Sequence, residues 1–439
     1  MDTGGARRCI GLDVHREFAQ VAIWQAGVVR QEGRIATTPE DLRIFAQGLG
    51  LDDEVALEAT GNSWAIATLL ASRAGRVVVS NPAKTRAIAE AKVKTDKVDA
   101  AILAQLLAAD FLPAVWLPDE ATNALRRQVI RRAGLVRQRT RGKNQIHAIL
   151  HRNLVPRCPA SDLFGHQGRR WLAAQQLPAD ERTAVAALLR EVDFHGEELR
   201  LIDQELGRVA LGHPDVRRLM TVPGIDATVA VSIVAAVGDF SRFRSPEKLV
   251  AYFGLHPRVH QSGGQPAIHG PITKAGRAQA RGMLVEAAWA ASKAPGPLRA
   301  FHQRVRARRG MHIAAVATAR KLTVLCWHLA VKGEDYAFAQ PSLVAHKRRK
   351  LELRAGLPAT RGRKGTASGY SLKAVRVAER RMAEHAEHAY RTLTAGWQPN
   401  PPARQPAAHT AVPPVGVDVA ATTGARLSRP SKGTAARQG

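Results

Sequence analysis

The run Cys9-Ile10-Gly11-Leu12-Asp13-Val14-His15 sets a single acid inside an apolar, strand-like segment. Residues 18–24 and 28–35 are two further β-prone runs, separated by turns rich in Gly, His and charged side chains. Together they predict a three-stranded antiparallel meander with Asp13 on its first strand. An acid within a hydrophobic strand is costly unless a cation or a hydrogen-bond donor meets it. Taken alone, Asp13 reads more simply as a strand-end acid facing water. Only other acids converging on it make it part of a metal site.

Working outward, Thr-Thr-Pro-Glu at 37–40 opens an N-capped amphipathic helix over residues 38–48. Residues 55–58 read as a fourth strand ending in Glu58, followed by a helix over 63–73. A fifth strand over 77–79 leads through Asn81-Pro82 into another helix. Three antiparallel strands followed by strand-helix alternation are an α/β pattern of the ribonuclease H kind. A helix then opens at Thr95-Asp96-Lys97-Val98-Asp99-Ala100. Asp96 and Asp99 are three residues apart and share a helix face, where like charges repel unless a cation sits between them. Asp96 is equally explained as a first-turn acid favoured by the helix dipole.

The 439 residues carry 65 Lys and Arg against 37 Asp and Glu, a formal net charge of +28. That excess attracts polyanions and points to nucleic acid as the partner, although an Arg- and Ala-rich composition contributes to it. No apolar run of about 18 residues appears and no signal pattern opens the chain, so a cytoplasmic, nucleoid-associated protein is expected. Cys9, Cys158 and Cys326 form no metal-ligand spacing and read as small core residues.

Residues 121–154 form a long basic helical stretch in which Val129, Val136 and Leu150 fall at multiples of seven. Arg131, Arg132, Arg139 and Lys143 interrupt it, which suggests a coiled-coil arm that also touches phosphates. A second helical stretch over 181–211 either pairs with the first, pairs with a second copy, or packs on the body. Val222-Pro223-Gly224-Ile225 resembles the turn of a helix-hairpin-helix, whose amides hold a DNA phosphate. Farther on, Ser262 lies before two glycines in a loop flanked by Arg258, His260, Lys274 and Arg277, which could neutralise a phosphate. As a bare loop serine it reads as a local turn. Residues 311–331 form an apolar helix. Beyond residue 340 the composition turns to Lys-Arg runs and then to Ala, Pro, Gly and Thr, expected to be a largely disordered tail with one short helix at 372–390.

Gly11-Leu12-Asp13-Val14-His15, Leu57-Glu58-Ala59-Thr60-Gly61, Lys94-Thr95-Asp96-Lys97-Val98-Asp99-Ala100, Val222-Pro223-Gly224-Ile225, Tyr252-Phe253-Gly254-Leu255-His256-Pro257 and Ile272-Thr273-Lys274-Ala275-Gly276 occur in that order. Over residues 7–335 they resemble the IS110/IS1111 family of insertion-sequence transposases. The resemblance implies three regions, a RuvC-like, ribonuclease H-fold domain (1–120), a helical arm (121–211) and a mainly helical transposase domain (212–338); the tail (339–439) lies outside it. It implies a DEDD tetrad of Asp13, Glu58, Asp96 and Asp99 that binds Mg²⁺, and a catalytic serine at Ser262. Family members commonly carry Glu before that serine, where this chain has Gln261. The resemblance further implies donor and target DNA, an element-encoded noncoding guide RNA and a homo-oligomer, dimer or tetramer. Two other readings stay open: a RuvC-like nuclease that uses water and leaves Ser262 idle, and a nucleic-acid-binding protein without catalysis.

Overall fold

The computed structural model describes residues 7–89, 95–262, 265–358 and 373–396. The chain opens with β1 (Arg8–Val14), β2 (Phe18–Gln25) and β3 (Val28–Ala36), then α1 (Pro39–Gln47), β4 (Asp53–Glu58), α2 (Ser63–Leu70), β5 (Arg76–Ser80), α3 (Pro82–Ile88) and α4 (Asp96–Ala108). The strands form one sheet in the order β3-β2-β1-β4-β5. β1, β2 and β3 pair antiparallel, whereas β4 lies parallel to both β1 and β5.

Alternation of side chains along β1 decides which face carries the acid. Ile10, Leu12 and Val14 pack with Leu42 of α1 and Ile66 and Leu70 of α2 on one face. Cys9 packs with Ala56, Val78, Leu103 and Leu107 on the other, the face that α4 covers. Gly11 and Asp13 share the parity of Cys9 and so belong to the α4 face. Glu58 shares the parity of Ala56 on β4 and falls on that face too. α4 can lie this close because Gly11 has no side chain: a β-carbon there would stand 2.0 Å from the Ala100 carbonyl oxygen and 2.7 Å from the Ala104 nitrogen.

After the linker at 109–119 come α5 (Glu120–Arg152), α6 (His166–Ala173) and α7 (Ala179–Gly212). α5 and α7 pair antiparallel, as ion pairs Arg131–Glu198 (2.5 Å), Arg132–Asp203 (2.5 Å) and Arg152–Glu181 (2.5 Å) fix their register. The far end has its own core, in which Ile146, Ile149 and Leu150 meet Leu163, Leu172, Leu177 and Val185. The near end joins the large C-terminal core through Val129, Leu199, Ile202 and Leu206.

That core is built from α8 (Pro214–Leu219), α9 (Ala227–Val237), α10 (Pro246–Tyr252), α11 (Ala278–Ala291), α12 (Pro297–Arg309) and α13 (Met311–Lys332), with a two-stranded hairpin of β6 (Pro257–His260) and β7 (Ile268–Ile272). α9 is apolar on every side and lies at the centre, as an all-round hydrophobic helix must. Among the described residues only α13 is long and apolar enough to cross a membrane, and its Ala319, Leu322 and Cys326 are part of this core.

One expectation is corrected. Residues 341–354, expected in a disordered tail, form α14 (Pro341–Arg354), which packs on the C-terminal core through Leu351. The Lys-Arg run that suggested disorder is bound by the fold: Lys347 Nζ donates to the carbonyls of Met220, Val222 and Ile225 at 2.7, 2.8 and 2.9 Å. The helix expected at 372–390 is α15 (Lys373–Ala395), docked on α12 by the buried carboxylate of Glu387, which binds Arg299 and the Gly296 N–H. The Pro-Gly turn at 223–224 packs against α11. Pro223 is buried and Gly224 half-buried, and a β-carbon at Gly224 would stand 2.3 Å from the Ala287 carbonyl oxygen, so α11 lies against the turn. The amide end of α9 is occupied as well, because the Asp226 side chain accepts from Val229 N–H at 2.9 Å.

Candidate active site

The α4 face of the sheet gathers acids at the carboxyl ends of β1 and β4. Asp13 pairs across to Gln20 on β2, and Leu12 pairs with Leu57, so Glu58 is the next residue along β4 beside Asp13. Thr95 caps α4, its hydroxyl accepting from Val98 N–H at 3.3 Å, which starts the helix at Asp96. The close seat of α4 on Gly11 then holds Asp96 and Asp99 above the strand end. Ligand atoms of Asp13, His15 and Asp96 all lie within 4.8 Å of one another. His15 Nε2 is 3.3 Å from Asp13 Oδ2 and 3.4 Å from Asp96 Oδ1, and Arg34 Nη2 is 3.3 Å from Asp96 Oδ2.

Burial pushes the Asp13 carboxyl above the usual carboxylate range; His15 opposes the rise, while Asp99 and Asp96 add to it. Asp96 and Asp99 therefore both act electrostatically on Asp13. A set of clustered carboxylate oxygens that repel one another when charged is the donor chemistry a hard divalent cation requires. The residues fit such an ion.

His15 and Arg34 were missed in the sequence. His15 stands two residues past Asp13 as an ordinary turn residue, and Arg34 sits on a mostly exposed strand. What brings Arg34 in is the antiparallel pairing of β2 with β3, which sets it opposite Gln20, itself the partner of Asp13. Arg34 also stacks over Phe18 at 4.2 Å.

Ser262 is exposed just after β6, and its carbonyl accepts from Gln265 N–H at 3.1 Å. Among the described residues no hydrogen bond or ion pair joins it to the acids. Arg258 and His260 lie on β6, and Lys274 takes a positive φ of 55° just past β7. Arg277 is held by the Tyr252 hydroxyl at 2.9 Å. Arg131 and Arg132 pair with Glu198 and Asp203, and Lys143 Nζ lies 4.4 Å over the Phe164 ring.

Residues 10–154 match a transposase family of the IS110 DEDD type, and residues 216–303 match the transposase family described as IS116/IS110/IS902. The chain belongs to the IS110 family of transposases. The transposase is 29% identical over 288 residues to putative transposase y4qE of Sinorhizobium fredii, covering 64% of this chain and 70% of that protein. It is 29% identical over 212 residues to the transposase for insertion sequence element IS1111A of Coxiella burnetii, covering 46% and 57%. With the pilin gene-inverting protein of Moraxella bovis it shares 26% identity over 215 residues, covering 47% and 57%.

Proposed function

We propose that this transposase cuts and rejoins the DNA of an insertion sequence at a composite site of four acids, Asp13, Glu58, Asp96 and Asp99, with Ser262 as nucleophile. The observation that carries the reading is the meeting of Asp13 and Asp96 with His15 at the carboxyl end of β1. The sheet order β3-β2-β1-β4-β5 supports the ribonuclease H-like assignment of this domain. Hard oxygen donors favour Mg²⁺, which when bound offsets the charge that develops on the phosphate during transfer.

The chain's own residues do the rest. The Ser262 hydroxyl attacks phosphorus; an Oγ–P bond forms as the P–O3′ bond breaks. Oγ gives up one proton and the departing 3′ oxygen takes one. A 3′-hydroxyl of the other duplex then attacks the phosphoserine, and the serine hydroxyl is restored. A serine needs activation for such an attack, and its delivery to the acids, in this chain or from a second copy of a dimer or tetramer, supplies the setting. Arg258, Lys274 and Arg277 flank the serine and hold DNA phosphates. By the family resemblance, an element-encoded noncoding RNA selects donor and target DNA.

Covalent trapping tests the serine. Denatured reactions of the wild type with labelled DNA and Mg²⁺ yield a protein–DNA adduct, and Ser262→Ala yields none. A Ser262→Ala chain that still cleaves and rejoins assigns the chemistry to water instead.

A further inference from the structure

Between α5, the carboxyl end of α9 and the first turn of α11 lies an open cavity of about 220 Å³, in which Arg126, Arg277 and Gln279 stand among apolar residues, Val129, Ile130 and Ala236 with them. Arg126 and Arg277 belong to its wall, and Arg242 stands outside it, against the Trp116 ring that Arg126 also meets. Arg126 is only 8% exposed; its Nε and Nη2 donate to the carbonyls of Ala235 and Ala236 at 2.7 and 2.6 Å. Its Nη1 donates to no described residue. Arg242 donates from Nε to the Val237 carbonyl at 3.0 Å, while its Nη2 is buried without a partner. Arg277 reaches the Tyr252 hydroxyl, which donates to the Ala236 carbonyl at 2.9 Å. The Trp116 ring lies 4.9 Å from the Arg126 guanidinium and 4.2 Å from that of Arg242.

Among the described residues no carboxylate forms an ion pair with Arg126, Arg242 or Arg277. The acids whose charge they feel are engaged elsewhere: Asp119 caps Thr122 N–H, and Asp239 accepts from Ser241. The carboxyl end of α9 offers the equivalent of about half an elementary charge against three. Burial, then the charges of Arg277 and Arg242, push Arg126 down to about 10. Burial likewise lowers Arg242. Leaving buried like charges uncompensated is costly, and a bound anion removes that cost.

The opposite wall supplies donors. α11 runs for fourteen residues, and Arg277 at its start gives no side-chain cap. The first N–H with an intrahelical acceptor is that of Arg281, at 3.1 Å from the Arg277 carbonyl. The amides at 278–280 therefore have no intrahelical acceptor, and their residues line the cavity.

We propose that this cavity binds one backbone phosphate of the nucleic-acid substrate through Arg126 Nη1, Arg277 and the first-turn amides of α11. Arg242 adds positive charge from behind Trp116. The source of the phosphate rests on the nucleic-acid reading above, but the acids of the α4 face play no part in it.

The test uses the full chain, a fluorescent DNA duplex titrated across a range of salt, and inorganic phosphate as a second probe read by thermal melting. Gln279→Glu sets a carboxylate in the mouth, and as an acid in the first turn it favours the helix, so the fold is kept. Arg277→Gln removes one donor group. Each variant is expected to weaken duplex binding roughly tenfold and to lower the slope of log affinity against log salt by about one. The proposal is overturned if both variants keep the wild-type affinity and slope. It is equally overturned if inorganic phosphate raises the wild-type melting point and not that of Gln279→Glu while duplex binding is unchanged, which marks a free-phosphate site. A wild type that binds no duplex at all removes the function proposed above as well. Variants that bind normally in a chain whose cleavage still depends on Asp13 remove this site alone.

Discussion

Gly11 lies so close beneath Ala100 that a β-carbon on it would come within 2.0 Å of the Ala100 carbonyl oxygen. This contact sets the height of α4 over the sheet, and with it the distance from Asp96 and Asp99 to Asp13. Gly11→Val should cost about 1–3 kcal/mol or more, because backbone rather than a side chain must move. It should also remove catalytic activity even where the chain still folds. Urea denaturation and a strand-transfer assay on the same preparation check both; a stable and active Gly11→Val shows that α4 does not position the acids.

Asp13 gives a pH signature. Its carboxyl is raised by burial and by neighbouring acids, so the folded chain binds more protons than the unfolded one from pH ~4 up to the raised value. Stability contributed by this group therefore falls as pH rises through that window, and the penalty is complete above it. Asp13→Asn is expected to be more stable than the wild type at pH 7 without divalent ions. The advantage should vanish at pH values below the window, as measured by thermal melting across pH.

Lys347 fastens α14 to the buried turn at 220–225. Lys347→Met leaves three carbonyls without their donor, and loss of about 1–3 kcal/mol is expected. Burial lowers the Lys347 ammonium to about 8, with Asp226 opposing. Between that value and the unfolded one near 10.4 the unfolded chain holds more protons, so this group's contribution to stability grows as pH rises from 8 to ~10.4. The difference in unfolding free energy between wild type and Lys347→Met should widen over that range. A constant difference removes the assignment.

Arg131 and Arg132 should matter little for DNA. Their partners Glu198 and Asp203 fix the α5–α7 register, and Arg131 is mostly exposed, so Arg131→Gln is expected to cost between about 0 and 1 kcal/mol. Duplex affinity should stay within about twofold of the wild type. A tenfold loss on Arg131→Gln would restore the arm to the DNA interface.

Much of the first domain was legible because its signals are local. Alternation gave the meander, and Thr38 and Thr95 cap α1 and α4 as their positions suggest. The acids at 13, 58, 96 and 99 stand out against apolar or helix-opening surroundings. What escaped depends on contacts between distant residues. Arg34 reaches Asp96 only through strand pairing, and the need for glycine at position 11 appears only once α4 is in place. The basic run at 347–350 reads as solvated tail until three carbonyls 122 to 127 residues earlier claim Lys347. Arginines on the arm read as phosphate ligands because the acids of α7 that neutralise them lie some 70 residues on.

The account stands on the acids of the α4 face acting together as a divalent-cation site, and calorimetric titration of Mg²⁺ or Mn²⁺ into the metal-free chain measures that directly. Saturable binding in the wild type, lost in Asp13→Asn and in Asp96→Asn with the fold intact by circular dichroism, is the predicted result. Equal binding in wild type and both variants, or none in any of them while cleavage persists, would contradict it.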